Sequence, residues 1–161
     1  MPAGLRKIVL TAHVSSSVGW LGAVGGFLVL AVAGLTSRSA AVVSGAYLAM
    51  GLTTWYVILP LALVSLATGV VASVGTAWGL FRHYWIVVKL LVTLFITVIL
   101  LIHVQPIDTL AAAATKMTGI DPGLYSAQRL MVIASGCALV ALLWLTGLSV
   151  YKPRGLIPRR T

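Results

Sequence analysis

Four long apolar runs constrain this chain more than any motif in it. Residues 8–35, about 47–74, 84–104 and 129–151 each match or exceed the ~20 apolar residues that carry a helix across a bilayer. Backbone groups in hydrocarbon find no water, so such runs must satisfy themselves as helices. The expected fold is all-α, a transmembrane four-helix bundle forming one integral membrane domain over 1–161. Only 8% of the residues are charged and 60% are apolar, against roughly 25% charged in a soluble domain. A soluble enzyme and a disordered chain are both excluded on that ground. The second run contains Pro60, which lacks an N–H and predicts a kink within a single span. Gln105-Pro106 is expected to close the third run, with an outer loop over 105–126 and a basic tail over 152–161.

The N-terminus superficially mimics a secretory signal, with Arg6 and Lys7 ahead of an apolar stretch and Ala31-Val32-Ala33 beyond it. Residues 8–35 outrun the roughly 7–15-residue apolar core of a signal peptide, so they are expected to remain as a span.

The formal charge is +9, with eleven Lys/Arg and two acids, Asp108 and Asp121. Cations flank the apolar runs instead of interleaving with aromatics, which favours anionic lipid over nucleic acid as their partner. With the N-terminus inside, Arg6, Lys7, Arg82, Lys152, Arg154, Arg159 and Arg160 lie on the inner side and Arg38, Lys116 and Arg129 on the outer. That asymmetry predicts cytoplasmic termini and a multi-pass protein of the plasma (inner) membrane. Both acids then face outward, within reach of Arg129. Cys137 has no intrachain partner and no ligand spacing around it; it reads as a small packing residue.

Ionisable residues inside spans are expensive and default to functional candidates. They are His13 in the first span, His83 and Lys89 at the start of the third, and His103 at its end. Residues 13, 16, 17, 20 and 24 share one helical face, so His13 lies with Ser16, Ser17 and Trp20 and looks into the bundle. It is either a core histidine bonded to a neighbouring hydroxyl or carbonyl, or a ligand to a flat guest. Lys89 sits at a similar depth, with both carboxylates across the membrane. It snorkels, sheds its proton, or meets an anion brought by a ligand, for which Arg82 and His83 add donors at the same mouth. His103 lies about 30 Å along the helix from His83 at 1.5 Å per residue. It belongs to the outer interface or to a second, outer site with Met131. Gly22-x-x-x-Gly26, Ser65-x-x-x-Gly69 and Gly75-x-x-x-Gly79 permit close helix approach, within the bundle or across a homodimer.

His13-x6-Trp20-x-Gly22 in the first span, with Trp85-x3-Lys89-Leu90 and His103 in the third, resembles a group of small bacterial four-to-five-helix membrane proteins. The group includes the membrane-type haem b protoporphyrinogen oxidase and the copper-resistance D domain. The likeness is greatest to a bacterial four-helix integral membrane family of unassigned function. The resemblance implies haem b among the helices, with His13 as an axial ligand and Lys89 as the second key basic residue. The Lys89-to-His103 spacing is longer than the oxidase's, and methionines are too few for copper handling. Neutral imidazole suits iron, and an unpaired cation suits a propionate. Cofactor binding is thus expected at His13, Ser17, Trp20, Arg82 and Lys89, with His13 and His83 as metal ligands. The expected function is a haem- or tetrapyrrole-binding membrane protein in electron transfer or redox chemistry. A porphyrinogen or quinol oxidoreductase, a cofactor-free accessory subunit and, last, a metal or ion permease stand as alternatives.

Overall fold

A computed structural model of the chain describes residues 1–75, 84–115 and 122–151. The described residues are helical apart from 1–2, the link 37–39 and Gly75, and include no strand. Helix α1 is Ala3–Thr36, α2 is Ala40–Thr53, α3 is Leu59–Val74, α4 is Tyr84–Thr115 and α5 is Tyr125–Tyr151. A π-helical turn, Thr54–Ile58, joins α2 to α3 into one continuous span, and a 3₁₀ turn, Pro122–Leu124, precedes α5. Four helical segments, Ala3–Thr36, Ala40–Val74, Tyr84–Thr115 and Tyr125–Tyr151, are long and apolar enough to cross a membrane. Many large apolar side chains, Val29, Phe95 and Val140 among them, point away from the bundle, as a lipid-facing surface requires.

The wide turn has a local cause. Pro60 cannot donate to the carbonyl four residues back, and its ring crowds that carbonyl. The backbone instead opens by one residue, and the Leu59 N–H donates to the Thr54 carbonyl, five residues earlier. The Thr54 hydroxyl, fully buried, donates to the Met50 carbonyl at 2.8 Å. The sequence places a proline distortion here; the structure absorbs it as a π turn.

The third span differs more. Helix α4 runs through Gln105 and Pro106 to Thr115, where the sequence suggests a polar loop beginning at residue 105. Ile107, Leu110 and Ala114 are buried, so packing beyond the proline outweighs its single missing hydrogen bond. Helix α5 likewise starts at Tyr125, ahead of the expected 129. Residues 116–121 of the expected loop, with Lys116 and Asp121, lie outside the described residues, as does the basic tail.

Asp108 is thereby placed on a helix, where its carboxylate accepts the Trp55 indole N–H at 3.0 Å. Arg129 stacks over the Tyr125 ring at 6.0 Å. Trp55→Phe and Asp108→Asn are each expected to lower stability by about 0.5–1.5 kcal/mol. The double variant should be no worse than either alone, as thermal unfolding in detergent will read.

The core is a column of interhelix contacts, with Trp20, Phe27 and Ala31 of α1 against Tyr47 and Met50 of α2, Ile96 of α4 and Met131 of α5. In lipid such contacts hold by close packing and hydrogen bonds more than by escape from water. The Gly22 and Gly26 pair of α1 has open space where a Cβ would stand, so the chain itself does not use that pattern. Close approach occurs at Gly34 and Gly69 instead. A Cβ at Gly69 would lie 3.0 Å from the His13 ring.

Candidate functional site

Three helical faces converge where α1 begins, α3 ends and α4 begins. Arg6, Val9, Leu10 and His13 recur at three- and four-residue spacing on α1, as do Ser65, Gly69 and Ser73 on α3 and Trp85, Lys89 and Thr93 on α4. These faces border a half-open cavity of about 500 Å³, which Lys7 also lines. The volume falls within the range of about 300–1,000 Å³ typical of small-molecule sites.

His13 is half-buried at one wall. Its Nδ1 lies 3.0 Å from the Ser65 carbonyl oxygen and 3.3 Å from the Thr68 hydroxyl. A carbonyl only accepts, so this bond makes Nδ1 the protonated nitrogen of the neutral ring and leaves a lone pair on Nε2. Among the described residues Nε2 has no hydrogen-bond partner. The Thr68 hydroxyl donates to the Val64 carbonyl at 2.6 Å, which leaves its oxygen free to accept from His13. Ser17 and Ser65 share a 2.8 Å hydroxyl bond that ties α1 to α3. The Gly69 hydrogen leaves the room in which the ring sits. His13 is therefore a core histidine at one nitrogen and an open acceptor at the other.

Lys89 approaches from α4. Its Nζ donates to the Ser149 hydroxyl of α5 at 2.6 Å and lies 6.0 Å from the Trp85 ring centroid. The Ser149 hydroxyl in turn donates a hydrogen bond to the Leu145 carbonyl at 2.9 Å. Among the described residues no carboxylate lies within ion-pair distance of Lys89, Arg6 or Lys7.

The structure thus brings His13 and Lys89 to one cavity. It does not bring Ser17 or Trp20 there. Ser17 is spent on the helix seam, and Trp20, 2% exposed, is a core residue. Arg82 and His83 lie outside the described residues. His103 and Met131 line a second, small cavity of about 60 Å³ with Trp20 and Ser135. The His103 Nδ1 donates to the Ile99 carbonyl at 2.8 Å. That cavity is too small for a tetrapyrrole. Among the described residues no three His, Cys, Asp or Glu side chains gather to hold a bare metal ion.

Sequence reasoning missed Arg6, Lys7, Ser65 and Ser149 as parts of the site. Arg6 lies seven residues before His13, two helical turns along the same face, and that spacing was the available signal. Ser149 carried none.

These residues fit a haem or related tetrapyrrole on three counts: a neutral nitrogen lone pair, apolar walls, and cations that meet no carboxylate among the described residues. A backbone carbonyl that accepts from one ring N–H, as that of Ser65 does here, is a usual partner of an imidazole that ligates metal through its other nitrogen. Comparison with protein-family models, with curated proteins and with solved structures finds no match to this chain.

Proposed function

We propose that this chain is an integral membrane protein that binds haem b or a related tetrapyrrole and serves electron transfer. We place it as a multi-pass protein of the bacterial plasma membrane with cytoplasmic termini, on the balance of Lys and Arg. One observation carries the reading: His13 is pinned through Nδ1 to the Ser65 carbonyl, so that its other nitrogen serves a cavity lined by cations that meet no carboxylate among the described residues. The family resemblance drawn from His13, Trp20, Trp85 and Lys89 supports it.

Haem, when bound, supplies a one-electron couple at its iron. The protein's part is to bind and orient. Ser65 and Thr68 fix the tautomer and the plane of the His13 ring. Val9, Leu10, Leu66 and Ile86 exclude water from the cavity walls. Lys89, steered by Ser149 and Trp85, offers a positive group to an acidic edge.

The test is an absorption spectrum of the full chain purified in detergent, oxidised and reduced, followed by titration with hemin. A Soret band, or one that grows at one haem per chain, is expected. A colourless preparation that leaves the hemin spectrum unshifted overturns the proposal. A second reading, a cofactor-free accessory subunit, draws on the open space beside Gly22 and Gly26, where a partner helix would pack. Recovery of a stoichiometric, colourless complex favours it.

A further inference from the structure

The two cations at the start of α1 do more than mark a membrane boundary. Arg6 and Lys7 line the same cavity as Lys89, which reaches it from α4. Cations that serve only topology can spread into the headgroup layer; these three border one half-open cavity, with Arg6 and Lys7 at its exposed rim. Bringing like charges together is unfavourable unless negative charge joins them. Among the described residues nothing supplies it, since none of the three meets a carboxylate there. Asp108, the one described acid, is held by Trp55 of the π turn.

The cavity also has a direction. Arg6 and His13 stand on one face of α1, and their seven-residue separation is about 10 Å of rise at 1.5 Å per residue. Between them the wall is Val9 and Leu10, facing Leu66 and Ile86. Along α1 a guest therefore meets the Arg6 charge at one end, hydrocarbon between and a nitrogen lone pair beyond, while the Lys89 ammonium reaches it from α4.

We propose that Arg6, Lys7 and Lys89 form an anion subsite that selects an amphiphile with two acidic groups on one edge, and that it acts whether or not the guest carries a metal. This rests on the reading of the cavity as a tetrapyrrole site, but it assigns separate residues and a separate selectivity. Charge-assisted hydrogen bonds to Arg and Lys supply the attraction, and the partial burial of Lys89 strengthens its share. The acidic groups are the two carboxylates of a tetrapyrrole or the two phosphates of an anionic lipid. The chemistry is shared, and experiment separates the sources.

The probe is protoporphyrin IX without iron, titrated by fluorescence into the full chain in neutral detergent, beside its dimethyl ester. The free acid is expected to bind about tenfold or more tightly than the diester, because the diester keeps the ring and loses the charge. Arg6→Gln, Lys7→Gln and Lys89→Gln should each reduce that preference, and the triple variant should abolish it. Lys89→Arg, which keeps the charge, should retain most of it. Circular dichroism of each variant checks folding, and the single variants carry the test where the triple variant fails to fold. Equal binding of acid and diester by the parent protein overturns the proposal, as does an undiminished preference in well-folded Gln variants.

Cardiolipin, which carries two phosphates, is the second probe, with phosphatidylcholine as control. Displacement of the free-acid porphyrin by cardiolipin, lost in the Gln variants, supports the subsite and adds lipid as a source. Failure of cardiolipin to displace the porphyrin, with the acid-over-ester preference intact, supports it with carboxylates as the source. If cardiolipin binds with the same dependence on the cations and neither porphyrin binds, the anion subsite stands and the tetrapyrrole reading of the cavity falls.

Discussion

His13→Ala protein, purified beside the parent chain and offered hemin, is expected to be colourless and to leave the hemin spectrum unshifted. Complete loss of the Soret change is expected, because His13 is the one imidazole on the described cavity wall. Its neighbours allow a graded companion series. Thr68→Val removes the longer, 3.3 Å contact to Nδ1 and keeps the 3.0 Å bond to the Ser65 carbonyl, so the band should persist with at most a small shift. Gly69→Ala puts a methyl group 3.0 Å from the ring carbon between the two nitrogens. The ring must turn or slide, and the band should weaken or move while helix content stays. The Ser65 carbonyl belongs to the backbone, so no side-chain replacement at that position deletes it; Ser65→Ala tests only the hydroxyl bond to Ser17. A band in His13→Ala identical to the parent's removes His13 from the ligand role.

Gly34→Ala is expected to be the most destabilising conservative change in the bundle. Its new methyl carbon would stand 2.7 Å from the Tyr47 ring carbon that bears the hydroxyl and 2.9 Å from the hydroxyl oxygen. Tyr47 is fully buried, so its ring has nowhere to go. Helices α1 and α2 are joined by three residues, 37–39, which limits how far they can separate. Overpacking of this kind costs about 1–3 kcal/mol and occasionally more, read as a lowered unfolding temperature in detergent. Paired with Tyr47→Leu, the same change should cost less than the sum of the two alone. The Tyr47 hydroxyl is buried and has no hydrogen-bond partner among the described residues. Tyr47→Phe should therefore be neutral or stabilising, the reverse of the usual result for a buried tyrosine. A marked loss of stability in Tyr47→Phe would show that the hydroxyl has a partner after all.

The helical character of the chain and its four membrane-length segments were legible because hydropathy and length alone determine them. The inward face of α1 was legible too: His13, Ser16, Ser17, Trp20 and Val24 recur at helical spacing, and the structure turns that face into the bundle. The continuation of α4 beyond Pro106 was not. Local sequence shows the missing N–H and the polar residues that follow, whereas the compensating contacts of Ile107, Leu110 and Ala114 come from other helices. The cavity was legible in part. His13 and Lys89 stand out because ionisable groups are rare in spans. The small residue that makes room for the imidazole is one of sixteen glycines, and nothing local distinguishes Gly69 from Gly22. Trp20 illustrates the opposite error: sharing a face with His13 is not sharing a cavity, since its position a further two turns along α1 carries it into the core.

The π turn ahead of Pro60 sets the helical phase of everything after it. Each residue of an α-helix advances the side-chain direction by about 100°, and a π turn takes up one residue beyond the α-helical count. Closing that turn without shortening the chain would swing Ser65, Thr68 and Gly69 roughly a quarter-revolution away from His13, although no cavity residue had changed. A residue lost within 54–58 could be absorbed by the turn itself, at the expense of renewed crowding at the proline. A residue lost between 61 and 64 would regain the phase at Ser65 only if the π turn closed as well, which would swing Leu59 and Pro60 about 100° out of their present directions. Tolerance to single-residue deletion should therefore change abruptly on either side of Pro60.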